Sequence, residues 1–283
     1  MIGFGNGRIY LVVALILTET VVPSFAQSSK ERIVEQGQVQ VGVHNRAPWG
    51  YRDPAGNPSG WHPDIVSQAF ADTGLPKVEI MVAEFGALIP GLLARRFDVV
   101  ASGLAVTPER CAQVAFAEPD IRVPDAAIVV SGNPKKIHGY ADIAKGATIV
   151  MGAGRGSVVA KRADAAGVPK TRILLFPDIE SNISALRAGR IDVAVLTSPT
   201  IIGLLKDGPE GIERATPFTT TEAEVNYAAV AFRKEDGELR DIFNAQLKRM
   251  KEDGSLAALR AKYDFGDTEI VPDGITTKSL CGE

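Results

Sequence analysis

Apolar residues along this chain switch between a two-residue spacing and a three-to-four-residue spacing, which predicts strands interleaved with helices. Val39 to Val43 reads as a strand that runs into the loop His44-Asn45-Arg46-Ala47-Pro48-Trp49-Gly50-Tyr51. The stretch from Asp53 to Gly60, rich in Pro, Gly and Asn, reads as a hairpin-like turn. Pro63 opens a helix that places Ile65, Val66, Ala69 and Phe70 on one face and ends at Gly74. A strand at Val78, a helix bearing Leu88, Ile89, Leu92 and Leu93, and a strand from Asp98 to Ala101 follow. Beyond them come an apolar run from Ala126 to Val130, a strand from Ala147 to Met151, a glycine-rich loop and a helix from about Ser157. A late strand, Tyr227 to Phe232, leads to an amphipathic helix striped by Leu239, Ile242, Phe243, Leu247 and Met250, then to a short helix from Leu256 to Tyr263. This alternation is that of an α/β fold with mostly parallel sheets flanked by helices.

Part of the pattern occurs twice. Ile89, Leu92, Ala94, Arg96, Asp98 and Val99 are matched in order and spacing by Ile183, Leu186, Ala188, Arg190, Asp192 and Val193, and the flanking strands Val78 to Val82 and Arg172 to Phe176 stand at equivalent offsets. Two similar α/β units in one chain imply two lobes with a ligand site between them. The last helices read as returning to the first lobe. Two chain crossings follow, near Ile121 to Pro124 and near Ala228 to Phe232, and such a pair forms a hinge. The expected division is a first lobe of residues 27–122 plus 231–283 and a second of residues 123–230. Asp98 and Asp192 recur at the same point of both units, which gives them a structural role at a strand start.

The first 26 residues are set apart as an export signal. Arg8 precedes the apolar run Ile9 to Leu17, and Ser24-Phe25-Ala26 is a small-x-small cleavage site. The apolar run is too short to span a bilayer as a helix, and neither Cys111 nor Cys281 stands where a lipid is attached to such a signal. A soluble protein exported to the periplasm is expected. The formal net charge is −3 with both signs interspersed, so no basic footprint for nucleic acid or a membrane surface is present. Cys111 lies just inside a predicted helix and Cys281 in a polar tail of about fifteen residues expected to lie outside the globular part. Whether they pair is left open by the sequence.

Thr107-Pro108-Glu109-Arg110 is a helix start, with Thr as N-cap and Pro in the first turn. Arg110 there opposes the helix dipole unless both serve a shared anion, so it reads as a carboxylate clamp or as a surface arginine paired with Glu109 or Glu118. Gly152-Ala153-Gly154-Arg155-Gly156-Ser157 joins strand to helix and offers backbone N–H groups to a small anion. With Asp178 after the next strand it is half of a dinucleotide fingerprint, but its spacing is not G-x-G-x-x-G and no cofactor is called for. Trp49, Tyr51 and Phe85 gather in loops near the expected cleft, where Trp49 and Phe85 offer flat faces to a cationic or delocalised group; packing at strand ends explains Tyr51 and Trp61 equally well. His44, His62 and His138 are scattered, so no metal site is expected. There is no nucleophile elbow, and neither cysteine has an evident histidine partner.

The residues quoted so far resemble the family 3 solute-binding receptors that feed polar amino-acid uptake ABC transporters. The match runs from about Ile33 to Phe265. It is strongest in R-F-D-V-V-A-S-G-L-x-V-T-P-E-R, ending at Arg110, and in V-A-F-A-E-P, ending at Pro119. Within that family, N-R-A-P-W-G-Y, A-E-F-G-A-L-I-P-G-L and E-R-C-A-Q-V-A-F are similar to the ectoine and hydroxyectoine receptors. The resemblance implies the type II periplasmic binding protein fold, a monomer closing on a small carboxylate-bearing solute and delivering it to a membrane permease. It implies that Arg110 holds the carboxylate, helped by backbone N–H groups near Ala105 and Ser157. The place where amino-acid receptors carry an aspartate for the α-ammonium falls on Thr197, which suits a cyclic amidinium better than a primary ammonium. Two positions depart from the ectoine pattern: Arg46 stands for an acidic residue, and Ala105 for an aromatic. Arg46 is suited to a second acidic group. The same scaffold also supports a periplasmic prephenate or arogenate dehydratase, for which Glu84 and Glu222 are the candidate acids. A sensor module of a signalling receptor is disfavoured by the missing downstream membrane segment.

Overall fold

Two five-stranded sheets carry the chain, and each is built around the same three parallel strands. The computed structural model describes residues 1–3, 28–71, 73–75, 77–206, 208–219 and 225–283; the expected export signal beyond residue 3 and Glu222 lie outside these. The first part of the chain comprises α1 (Ser29–Gln36), β1 (Gln38–Val43), the hairpin β2 (Tyr51–Arg52) and β3 (Pro58–Ser59), α2 (Trp61–Ala71), β4 (Lys77–Val82), α3 (Leu88–Leu93), β5 (Val99–Val100), α4 (Pro108–Cys111) and β6 (Ala115–Phe116). Next come β7 (Ile121–Val123), β8 (Asp125–Val130), α5 (Tyr140–Lys145), β9 (Met151–Gly154), α6 (Val158–Ala165), β10 (Ile173–Phe176), α7 (Ile179–Arg187), β11 (Val193–Thr197), α8 (Ser198–Leu205) and β12 (Ile212–Arg214). The chain closes with β13 (Asn226–Ala228), β14 (Ala231–Phe232), α9 (Gly237–Glu252), α10 (Ser255–Lys262) and α11 (Thr277–Cys281).

The strand order is β4-β1-β5-β14-β6 in one sheet and β10-β9-β11-β8-β12 in the other. In each, three parallel strands are followed by antiparallel ones, β14 beside β5 and β8 beside β11. The recurring aspartates do the same work in both. Asp98 accepts the N–H of Gln40 at 2.9 Å while its own N–H reaches the Gln40 carbonyl at 2.7 Å. Asp192 does likewise with Val150, at 2.9 and 2.8 Å. An aspartate here pins the start of the neighbouring strand through two bonds, which is why Arg-apolar-Asp-Val recurs. Between the sheets, β7 and β13 run antiparallel, Ile121 opposite Ala228.

The first lobe buries Ile65, Val66, Phe70, Phe232, Phe243 and Leu247 between its sheet and α2, α9 and α10. Side chains of this size gain about 1.5–3 kcal/mol each on burial. The second lobe buries Ile143, Met151, Val159, Val193 and Val195 on one side of its sheet and Ile128, Ile183, Leu186 and Ile201 on the other.

Four expectations change. Helix α2 begins at Trp61, whose N–H is held by the Pro48 carbonyl at 2.7 Å, so Pro63 lies within the first turn, where its missing N–H costs nothing. The expected strand Tyr227 to Phe232 is two strands: β13 pairs with β7, and only β14 joins the first sheet. The expected strand Ala147 to Met151 lies later, as β9, and takes in the first half of the glycine-rich stretch. A Cβ on Gly152 would stand 2.1 Å from Asn182 Oδ1 and 2.6 Å from Ile191, so this glycine permits close packing and is no phosphate cradle. Finally, the tail is part of the folded body. Thr276 caps α11 by accepting the Ser279 N–H, Leu280 and Cys281 pack against the cluster of Leu88, Phe97 and Phe116, and Cys281 is disulfide-bonded to Cys111 with Cα atoms 5.7 Å apart.

Candidate functional site

A cavity lies where the C-terminal ends of the two parallel strand sets face each other, and both lobes line it. The first lobe supplies His44 and Arg46 from the loop after β1, Phe85 from the turn before α3, Gly103 and Ala105 from the segment after β5, and Arg110 from α4. The second supplies Gly154, Arg155 and Ser157 to Val159 from the β9–α6 turn and the start of α6, Asp178 and Asn182 from α7 and its cap, and Thr197 at the end of β11. Val123 and Asn226 of the two crossing strands complete the wall.

Arg110 reaches the cavity because Thr107 caps α4, its hydroxyl accepting the Arg110 N–H at 3.3 Å, with Pro108 in the first turn. Its guanidinium donates to the Ala105 carbonyl at 2.9 Å and, across the cleft, to the Gly156 carbonyl at 3.0 Å. The carboxylates that offered a surface pairing are engaged elsewhere: Glu109 binds Lys161, and Glu118 accepts the Thr277 N–H. Ala105 faces Ala228 as an isolated antiparallel bridge whose two hydrogen bonds come from Val106 and Ala229, so its own N–H and C=O both lie on the Arg110 side.

Across the cleft, Ser157 is the N-cap of α6 but makes no cap bond with its side chain, and its hydroxyl is buried without a partner. Its N–H donates to the Gly154 carbonyl, so the free donors here are the Ser157 hydroxyl and the first N–H groups of α6. Gly156 has φ +75°, and a Cβ on it would stand 2.9 Å from the Gly86 Cα of the other lobe. Only glycine allows both the turn and this close approach. Asn182, whose amide nitrogen and oxygen have no partner, and Asn226, whose Nδ2 has none, complete a wall of unspent polar groups.

Phe85 stands between charges. The Arg46 guanidinium carbon lies 5.7 Å from its ring centroid and that of Arg110 lies 5.8 Å away. Burial pushes the Arg110 guanidinium down to about 10, with Glu109 opposing the shift. It likewise pushes Arg46 down to about 10, with Glu180 opposing. Both stay charged at neutral pH. His44 meets Phe85 edge-on, and its pKa is lowered first by burial and then by Arg46.

Of the residues expected at the site, Arg46, Phe85, Ala105, Arg110, Ser157 and Thr197 line one cavity. Trp49 does not. It is fully buried, stacked 5.6 Å from His62, with its Nε1 donating to Thr200 Oγ1 at 2.8 Å. Thr200 Oγ1 lies 2.8 Å from Thr197 Oγ1, so Trp49 orients the cavity hydroxyl from behind. His62 accepts the Gly103 N–H on Nδ1 at 2.9 Å, which leaves Nε2 to donate to Asp120. Sequence reasoning missed His44, Asn182 and Asn226 as wall residues. Glu84 is exposed and paired with Arg155 at 3.0 Å, a bond from lobe to lobe at the rim.

Two sheets of one topology, two crossing strands and a cavity between them walled by guanidinia and free N–H groups define a solute-binding receptor. The chain belongs to the bacterial extracellular solute-binding proteins, family 3, whose model matches residues 39–267. It is 31% identical over 97% of its length to a probable amino-acid ABC transporter periplasmic-binding protein of Sinorhizobium fredii, covering 93% of that protein. The crystal structure of EhuB in complex with hydroxyectoine is similar at a TM-score of 0.81 and 34% identity, over 89% of this chain and 97% of that one. The ancestral amino acid-binding protein AncCDT-1, a precursor of cyclohexadienyl dehydratase, is similar at a TM-score of 0.73 and 28% identity, over 83% of this chain and 99% of that one. The protein is thus the substrate-binding component of an ABC importer.

Proposed function

We propose that this receptor captures a small carboxylate-bearing solute, an ectoine-like compatible solute or a polar amino acid, in the periplasm and presents it to the permease as a monomer. Residues 1–26 are its export signal, residues 27–122 plus 231–283 its first lobe and residues 123–230 its second, with β7 and β13 as the hinge. The observation that carries this reading is Arg110, which spans the cleft between the Ala105 and Gly156 carbonyls and keeps donors free beside the N-terminus of α6. A carboxylate there takes charge-assisted bonds from the guanidinium and bonds from backbone N–H groups of both lobes, so binding and closure reinforce each other.

The protein binds without turnover. Among the described cavity residues Asp178 is the one carboxylate, and its Oδ1 accepts the Ser181 N–H as the cap of α7. A dehydratase needs an acid placed against its substrate. Arg110→Ala is expected to weaken solute binding by about 2 kcal/mol or more, because a desolvated carboxylate loses its charged partner. Calorimetry on the wild type and the variant checks this, and unchanged affinity removes Arg110 from the site. Turnover of prephenate or arogenate by the purified protein overturns the receptor-only reading.

A further inference from the structure

The frame arginines and the cleft arginines are provided for differently. Arg233 lies 2.6 Å from Asp236 and 3.7 Å from Asp98, Arg162 pairs with Asp125, and Arg32 with Asp98. Arg172 has no carboxylate but spends its guanidinium on the carbonyls of Ile143, Ala144, Gly146 and Ile149 at the end of α5. Arg46 has neither. Among the described residues no carboxylate lies within ion-pairing distance of it, Glu180 acting on it only from farther away, its guanidinium makes no hydrogen bond, and its Nε is buried. Arg110 has two carbonyls and no carboxylate. Two desolvated charges of one sign on one aromatic ring are costly unless something arrives to neutralise them.

Resting on the receptor reading above, we propose that the solute carries two acidic groups, one held by Arg110 and the other by Arg46, with its short connecting chain against Phe85. Of the solutes named above the diacidic ones are favoured, because a cationic or amidinium group finds the Phe85 ring already flanked by the chain's own guanidinia. The remaining wall agrees: the α6 N-terminus favours negative charge, and the Asn182 and Asn226 amide nitrogens are donors without acceptors. A solute with a single acid leaves Arg46 half-buried with no carboxylate in contact. Because both guanidinia lie within stacking distance of one ring, the two acids are separated by only a few bonds.

The test is calorimetry with succinate, glutarate and L-glutamate as diacid probes, and L-glutamine and ectoine as probes with one carboxylate. At least one diacid is expected to bind, and to bind at least about tenfold more tightly than L-glutamine or ectoine, the size of one well-made charge contact. Arg46→Ala is expected to cost that diacid at least about tenfold and L-glutamine little, with Arg46→Lys between. Arg46→Ala is also expected to raise the ligand-free melting temperature, since it removes a charge that no carboxylate contacts; a purely structural arginine would lower it. The proposal is overturned if ectoine or L-glutamine binds as tightly as the best diacid, if no diacid binds, or if Arg46→Ala leaves diacid affinity unchanged. Ectoine or L-glutamine binding that depends on Arg110 leaves the receptor reading standing while this inference falls. Solute binding indifferent to Arg110 defeats the site reading itself.

Discussion

The two walls of the cleft are built from equivalent units of one repeated pattern, yet they meet the solute with different chemistry. The first lobe brings full charges and one ring: Arg46, Arg110 and Phe85. The second brings neutral groups for contact, the Ser157 hydroxyl, the α6 N-terminus, Thr197 and the Asn182 amide, while its two charged residues are engaged, Asp178 in capping α7 and Arg155 in the pair with Glu84. Charge attracts at range, whereas neutral hydrogen bonds act only in contact. The first wall therefore recognises an acidic solute in the open state, and the second rewards closure. The bracing differs as well. Arg110 is followed by Cys111, whose disulfide ties α4 to the C-terminal helix α11, and among the described residues no second disulfide braces the other wall.

The largest expected effect breaks that bracing. Cys111 and Cys281 close a loop with a sequence separation of 170, and removing such a cross-link costs about 2–5 kcal/mol of stability. Cys111→Ser with Cys281→Ser is expected to lower the melting temperature by several degrees, at about 2–4 °C per kcal/mol for a chain of this size. Thermal melts of the wild type with and without reductant check the same term without mutation. If the brace serves chiefly to hold the charged wall, diacid affinity falls too. If it serves the tail alone, the melt moves and the affinity does not.

A smaller effect isolates closure. Gly156→Ala places a Cβ against the Gly86 backbone, at 2.9 Å from Cα and 3.4 Å from N, and strains a turn at φ +75°, so it wedges the lobes apart without removing either guanidinium. Solute affinity is expected to fall roughly tenfold, about 1.4 kcal/mol. Gly86→Ala, on the other side of the same approach and without a positive φ, is the control for added bulk. Its added Cβ meets nothing nearer than 3.9 Å, so affinity should stay near that of the wild type. Equal affinities for the two variants would mean that the close approach of the lobes plays no part in binding.

The repeat was legible in the sequence because both halves answer to the same demands: buried positions on a helix, then an aspartate bonded to the start of a neighbouring strand. Arg110 was legible as a candidate because a cap, a proline and a cation in one first turn fit a shared anion, although the same residues allowed a surface pairing with Glu109 or Glu118. Trp49 was not, since its partner Thr200 is distant in sequence and nothing local separates an aromatic facing a cleft from one buried behind it. Asn182, Asn226 and His44 carry no periodic signal, and only their place in the cavity wall marks them. Strand β9 was displaced in the sequence reading because its glycines look like a loop, although Gly152 answers to close packing by Asn182 and Ile191. The tail misled through its polarity: its few apolar contacts and its disulfide appear only once α4 is in place.

The smallest effect sharpens the contrast in charge. His44 stands beside Arg46 on the charged wall, and its pKa is lowered from 6.5 by burial first and by Arg46 second, against opposing attraction from Asp178 and Glu180. Its Nδ1 lies 3.2 Å from the Ala83 carbonyl, so the neutral ring donates there. Above pH 6.5 the ring is neutral both folded and unfolded, and it contributes no pH dependence. As the pH falls through that value the unfolded chain takes up the proton first, so stability drops until the folded-state pKa is passed. His44→Gln is expected to flatten the melting temperature across this acid range relative to wild type. Arg46→Ala should flatten it in part, by removing the second cause while leaving the first. A wild-type melting curve that rises on acidification through this range would show that the charged wall tolerates a third cation, and with it that the wall is less starved of negative charge than its two guanidinia imply.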